Sequence, residues 1–240
     1  MRSVLAAVVV PLVAVVLIGP YTFLPSLLEY AFAHDVQARL GLQKAPKVKL
    51  ESDPPLGMIA GEFSGGEIRL RDAGLGGVRT ERAVIDLDPF DVDVLESISQ
   101  GSIVAREPLS GGLRVEVPEA EVSRLVKEQA ETEVRDVDIT KSGMEVRAEA
   151  TFLGASFPVS ATGDLGISGQ SFVFEPRSLE AAGMALPREL TDALLAGTRF
   201  EYPIKRLPYR STISGVETAE GELVLTGRVP RVPLGVYPGG

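Results

Sequence analysis

The side chains that could do chemistry in this sequence are few and scattered. Its single histidine, His34, sits in a helical pattern just after a charge-free N-terminal stretch. One imidazole cannot build a histidine-rich metal site, and a hydrolytic triad would need it beside a nucleophile. Cysteine is absent, which removes disulfides, thiolate-bound metals and thiol catalysis. Gly166-Ile167-Ser168-Gly169 falls one residue short of a nucleophile elbow, and no glycine-rich phosphate loop opens a helix. The run Asp86-Leu87-Asp88-Pro89-Phe90-Asp91-Val92-Asp93 is the best metal candidate. Strand alternation puts Asp86 and Asp88 on one side, and hard cations favour such oxygen donors. The run lacks the central glycine and closing glutamate of a calcium loop, so a solvated strand end is the better reading. The residues therefore point to a binding protein and not an enzyme, with no metal and no cofactor.

Charge narrows what could be bound. With 33 acidic and 24 basic residues the net charge is −9, which repels polyanions and excludes nucleic acid as a partner. One basic run stands out, Arg199 to Arg210, in which Lys205, Arg206 and Arg210 interleave with Phe200, Tyr202 and Tyr209. Cations beside aromatic rings suit lipid headgroups at a membrane interface, although a strand–turn–strand with solvated cations would read the same way.

The N-terminus must position everything else. Val4 to Leu28 carries no charge and exceeds the roughly 20 apolar residues that a bilayer-spanning helix needs. Ala31-Phe32-Ala33 has the small-residue pattern of a cleavage site, but the apolar run is longer than that of a cleavable signal. Ser26 to Leu40 reads as a helix of its own, with Ser26 and Glu29 as a capping box, Gly41 as its stop and Leu28, Phe32, Val36 and Leu40 as one stripe. Cleavage would cut through it, so residues 1–25 are expected to be a retained signal-anchor, with signal-peptide removal as the alternative. Residues 26–240 are expected to form a single domain.

Within that domain the period switches to two. Strands are expected around Val48 and Leu50, Glu67 to Asp72, Val78 to Asp88, Ser102 to Arg106, Leu113 to Val117, Val134 to Ile139, Met144 to Phe152, Phe157 to Leu165, Ser171 to Glu175, Tyr202 to Lys205, Tyr209 to Glu217 and Glu222 to Val229. In the longest, Val78, Thr80, Arg82, Val84 and Asp86 should share one face and Ala83, Ile85 and Leu87 the other. Pro118 to Glu133 is the clearest helix, with Val122, Leu125, Val126 and Gln129 in a stripe, and Leu186 to Leu195 is a second. Asp93 to Gln100 should add one or two helical turns, with Val94, Leu95 and Ile98 apolar. The fold class is α+β: one strongly curved antiparallel sheet, a partial barrel, wrapped around amphipathic helices and preceded by the transmembrane or signal helix. Small residues at Ala148, Ala150, Ala155 and Ala161 leave room for an apolar slot in its interior, the usual kind of place for an acyl chain.

Several local patterns occur in a telling order: Ala45-Pro46-Lys47-Val48, Gly61-Glu62-Phe63 before Ile68-Arg69-Leu70, Val84-Ile85-Asp86-Leu87, a helix from Glu119, then Leu186-Pro187, Leu207-Pro208-Tyr209 and Gly221-Glu222-Leu223-Val224-Leu225-Thr226-Gly227. In that order the chain resembles, over nearly its whole length, the LmeA family of phospholipid-binding proteins of the actinobacterial cell envelope. The resemblance implies a tubular lipid-binding type of fold and a phospholipid or related acyl lipid as partner, and it supplies no catalytic residues. The implied protein is membrane-tethered and extracytoplasmic, in the periplasm, and serves envelope lipid or lipoglycan maintenance. Acyl chains would lie against Phe63, Ile68, Leu70, Val122, Leu125, Val126, Phe152, Phe157, Phe172, Phe174, Leu190 and Leu194, with the headgroup near Lys205, Arg206 and Arg210. The competing expectation is a structural partner of an envelope enzyme with a filled core.

Overall fold

The computed structural model describes residues 24–54, 57–75, 77–130, 133–152, 155–169, 171–181, 183–185, 200–203 and 211–232. The signal-anchor segment, the expected helix at Leu186 to Leu195 and the basic run from Lys205 to Arg210 lie outside them. Among the described residues no helix is long and apolar enough to cross a membrane.

The chain is α+β and its strands are mostly antiparallel, but they form two large sheets where the sequence pattern suggested one. The first contains β1 (Lys47–Glu51), β3 (Gly65–Leu75), β4 (Val78–Leu87), β6 (Leu109–Pro118), β14 (Glu222–Val232) and β13 (Thr212–Ala219), in that order. The second runs β11 (Met184–Ala185), β10 (Ser171–Ala181), β9 (Ala155–Ser168), β8 (Gly143–Phe152) and β7 (Glu133–Thr140), with β12 (Phe200–Pro203) also paired to β10. A small third sheet pairs β2 (Glu62–Phe63) with β5 (Phe90–Asp91). Four helices are described: α1 at residues 24–40, α2 (Gly57–Ala60), α3 (Val94–Gln100) and α4 (Glu119–Gln129). The chain divides into two compact units, residues 1–70, 84–112 and 230–240 in unit 1 and residues 71–83 and 113–229 in unit 2.

Unit 1 is built on aromatic contacts. Ser26, the expected cap, already lies inside α1. The predicted stripe faces inward, with Leu28, Phe32 and Val36 buried. Glu29, read from sequence as half of a capping box, instead accepts a hydrogen bond from the Leu50 amide of β1 at 3.1 Å. Phe32 meets Phe90 at 5.8 Å between ring centroids, and Phe63 stacks on Phe90 at 4.9 Å.

Unit 2 holds the second sheet, the ends of β3, β4, β6 and β14 nearest their hairpins, and α4. Here β13 lies against β9 and β7, and α4 lies against β7. Both edges of the β3–β4 hairpin lose their alternation. Arg71 and Asp72 are exposed in succession, as are Glu81 and Arg82. The inward set of β4 is therefore Val78 and Thr80 followed by Ala83, Ile85 and Leu87, which corrects the strict alternation expected for it. Asp72 adopts a left-handed φ of 51°, a conformation aspartate tolerates. A slip of one residue exchanges the two faces of a strand, so a period-two pattern drawn straight through it fails.

Candidate functional site

The interior of unit 2 contains an apolar slot. Its walls come from both sheets and α4: Leu75, Val78 and Thr80 of the β3–β4 hairpin, Val115 and Val117 of β6, Leu223 and Leu225 of β14, Met144, Leu165 and Phe172 of the second sheet, and Val122, Leu125 and Val126 of the helix. Alternation explains the strand contributions, because each pair is spaced by two and shares a face. Helical spacing explains the other three. Thr80 is the one hydroxyl among them, and it donates to the Ala73 carbonyl at 2.9 Å, so it offers a bound molecule little polarity.

The slot's cavity volume is about 50 Å³. A water needs about 10–15 Å³ on that measure, so there is room for a few heavy atoms in a row and not yet for a full acyl chain. Apart from Thr80 the lining is aliphatic chains, one methionine and one phenylalanine, and none of these residues carries a charge.

Two carboxylates fix the first turn of α4. Glu119 accepts from the Ile139 amide of β7 at 2.7 Å, its own amide donates to the Gly221 carbonyl at 2.9 Å, and the Gly221 amide donates to the Ile139 carbonyl at 2.9 Å. This closed ring ties the helix, the β13–β14 turn and an edge strand together. Glu121, only 5 % exposed, accepts from the Arg79 amide of β4 at 3.0 Å and from the Arg124 guanidinium. The Arg124 guanidinium holds the Glu121 carboxyl below its ordinary value of 4.5, against the opposing effect of burial and with the Arg79 amide assisting. Arg124 is raised in turn by Glu121 and Glu128, so the pair stays ionised at neutral pH. Acidic residues in a first turn also complement the helix dipole.

The acidic run does structural duty. Asp93 caps α3 by accepting from the Glu96 amide at 2.9 Å, and Asp88 accepts from the Ser110 hydroxyl at 2.5 Å. Among the described residues no three potential metal ligands converge. His34 is exposed on α1, its ring 6.3 Å from that of Tyr30.

A slot walled by apolar side chains, with its one hydroxyl satisfied by the backbone, matches hydrocarbon in chemistry better than a polar metabolite. A family model described as LmeA-like phospholipid-binding matches residues 20–228. The chain belongs to that family. Comparison with curated proteins and with solved structures gives no match. The resemblance drawn from the order of the sequence patterns therefore holds, and the slot belongs to a member of a phospholipid-binding family.

Of the residues expected to line a lipid groove, Val122, Leu125, Val126 and Phe172 come together at the slot. Phe174 is buried on β10 in the same unit, and Phe157 on β9 is half-buried. Phe63, Ile68 and Leu70 are buried in unit 1. Phe152 lies in β8, and its side chain falls outside the description, as do Leu190, Leu194, Lys205, Arg206 and Arg210 altogether. Ala148 and Ala161, expected to face inward, are only half-buried. Sequence reasoning missed Leu75, Val78, Val115, Val117, Met144, Leu165, Leu223 and Leu225. Their alternation was visible, but which strands would face one slot depends on sheet order.

Proposed function

We propose that the chain holds the hydrocarbon of a phospholipid in the slot of unit 2, as a non-catalytic binding protein tethered to a membrane by its charge-free N-terminal segment and working outside the cytoplasm in the cell envelope. The single observation that carries this reading is the slot itself: an almost wholly apolar interior surface on a member of a phospholipid-binding family. The N-terminal sequence supports the tether, being long enough to span and free of charge. Val122, Leu125, Val126 and Phe172 are the residues assigned to the acyl chain. Lys205, Arg206 and Arg210 are assigned to the headgroup on composition, as the basic run of an acidic chain. For a chain to enter, the walls must part beyond the present 50 Å³ or so, and on the helix side that means yielding at the ties that Glu119, Glu121 and Arg124 make to β7, β4 and the β3–β4 turn.

The small volume also favours a second reading, a filled core serving a structural partner. Native mass spectrometry of the full-length chain, stripped of lipid in a non-phospholipid detergent and then offered phosphatidylethanolamine, separates the two. One lipid adduct is expected, lost in Val122→Phe, which fills the slot from the helix side, while circular dichroism shows the variant still folded. A clean lipid-free mass for the wild-type protein would overturn the lipid reading.

A further inference from the structure

Apolar exposure and interior space are segregated between the two units. Among the described residues the exposed large hydrophobic side chains are Leu27, Tyr30, Ile59, Leu95, Ile98 and Met184, and all but Met184 belong to unit 1. The slot belongs wholly to unit 2.

α3 is the extreme case, because it is folded inside out. An amphipathic helix normally buries its apolar stripe and shows its polar face to water. In α3 the buried side chain is Ser97, at 2 % exposure, while Leu95 is 83 % exposed and Ile98 54 %. Hydrogen bonds hold this arrangement. The Ser97 hydroxyl donates to the Asp93 carbonyl at 2.6 Å and accepts from the Val104 amide at 2.9 Å. The Asp93 side chain caps the first turn, and Gly101 ends the helix in a left-handed conformation, φ 62°. Polar contacts thus fix α3 with its leucine and isoleucine facing water, where they stabilise nothing in the folded chain. Ile59 of α2, 43 % exposed, is close by: two residues on, the Gly61 carbonyl accepts from the Val92 amide, just ahead of α3.

The charges around this knob choose its partner. Glu62 stands opposite Asp91 in the β2–β5 pair, two like charges on exposed positions, and Glu96 is exposed on α3 itself, while exposed Arg106, whose amide donates to the Asp91 carbonyl at 3.0 Å, offsets one of these three charges. Such a rim repels anionic phosphate surfaces and suits headgroups whose outermost group is an ammonium. The charge-free segment of the sequence also ends at α1, in this same unit.

We infer that unit 1 docks on a bilayer of zwitterionic phospholipid, with Leu95 and Ile98 of α3 and Ile59 of α2 inserted among the headgroups and upper acyl carbons. Short apolar elements that lie in the interface bind in this way, by buried area and not by charge. The inference rests on the membrane tether proposed above and is independent of whether the slot takes lipid.

The sequence contains no tryptophan, so one introduced indole reports alone. The full chain carrying Leu95→Trp is reconstituted into vesicles of phosphatidylcholine and phosphatidylethanolamine, with Met184→Trp in unit 2 as the comparison. Both positions are exposed, so neither substitution disturbs the core. The Leu95→Trp indole is expected to shift its emission to the blue and to lose most of it to phosphatidylcholine brominated on the upper acyl chain. The Met184→Trp indole is expected to keep the emission of an indole in water. Replacing most of the lipid by phosphatidylglycerol should reverse much of the shift. Emission at Leu95→Trp that stays water-like and unquenched in vesicles carrying the protein overturns the docking surface, and leaves α3 to a basic protein partner. The same result with a lipid adduct still seen by mass spectrometry sinks the docking alone. A dry, quenched indole on a chain that binds no lipid sinks the slot alone.

Discussion

Glu121 shows how one residue serves the site without touching a ligand. Its carboxylate is buried beneath the helix whose Val122 and Leu125 line the slot, and it is kept ionised by Arg124 and by the Arg79 amide. A carboxyl held below its ordinary value of 4.5 by such partners contributes stability that is fully present above that pH. The contribution drains away as the pH falls from there through the lower folded-state value. Urea unfolding midpoints should accordingly be flat near neutrality and drop on acidification below about pH 4.5. In Glu121→Gln the baseline should be lower and the acid drop shallower, since the titrating group is gone. Equal acid slopes in the two proteins would show that other carboxylates carry the effect. Arg124 is a partly exposed partner, so the ion pair itself contributes less than its hydrogen bonds to buried Glu121.

At the level of elements, glycines set how closely strands approach. Gly163 of β9 lies opposite Pro176 of β10 and Met144 of β8. A methyl group there would run into the Glu175 carbonyl and the Pro176 backbone, neither of which is a flexible tip that can swing away. Gly163→Ala should therefore cost about 1–3 kcal/mol, read as a lowered denaturant midpoint with an unchanged slope. Hairpins of this kind were legible in the sequence, because turn residues such as Lys141-Ser142-Gly143 flank alternating runs and nothing else competes for them. α4 was legible for the same reason, through its proline entry, acidic first turn and stripe. The phase slip in β3 and β4 was not, since one left-handed aspartate decides it and sequence periodicity carries no φ angle. α3 was found as an element, but its orientation was hidden. The sequence marks Val94, Leu95 and Ile98 only as apolar, whereas a single buried serine hydroxyl with two hydrogen bonds decides which face turns in. Half of the slot escaped for a further reason: Val115 and Val117 meet Leu223 and Leu225 because β6 neighbours β14, a pairing between distant strands that no local pattern encodes.

For the molecule as a whole, a ligand that binds only the folded chain must raise its stability. If phospholipid fills the slot, lipid at about 100 times its dissociation constant adds about 2.7 kcal/mol, and the thermal midpoint rises with lipid concentration. The rise should vanish in Val122→Phe and persist in Leu95→Trp, because the first occupies the slot and the second only the exposed knob. A concentration-independent midpoint in the wild-type protein would contradict occupancy. The interleaving of the two units has a different consequence, in biogenesis. Unit 1 draws on residues 1–70, 84–112 and 230–240 and unit 2 on residues 71–83 and 113–229, so the backbone passes between them four times. A polypeptide emerging N-terminus first cannot complete either unit early, and a truncation shortly before residue 230 would leave both units incomplete rather than freeing one.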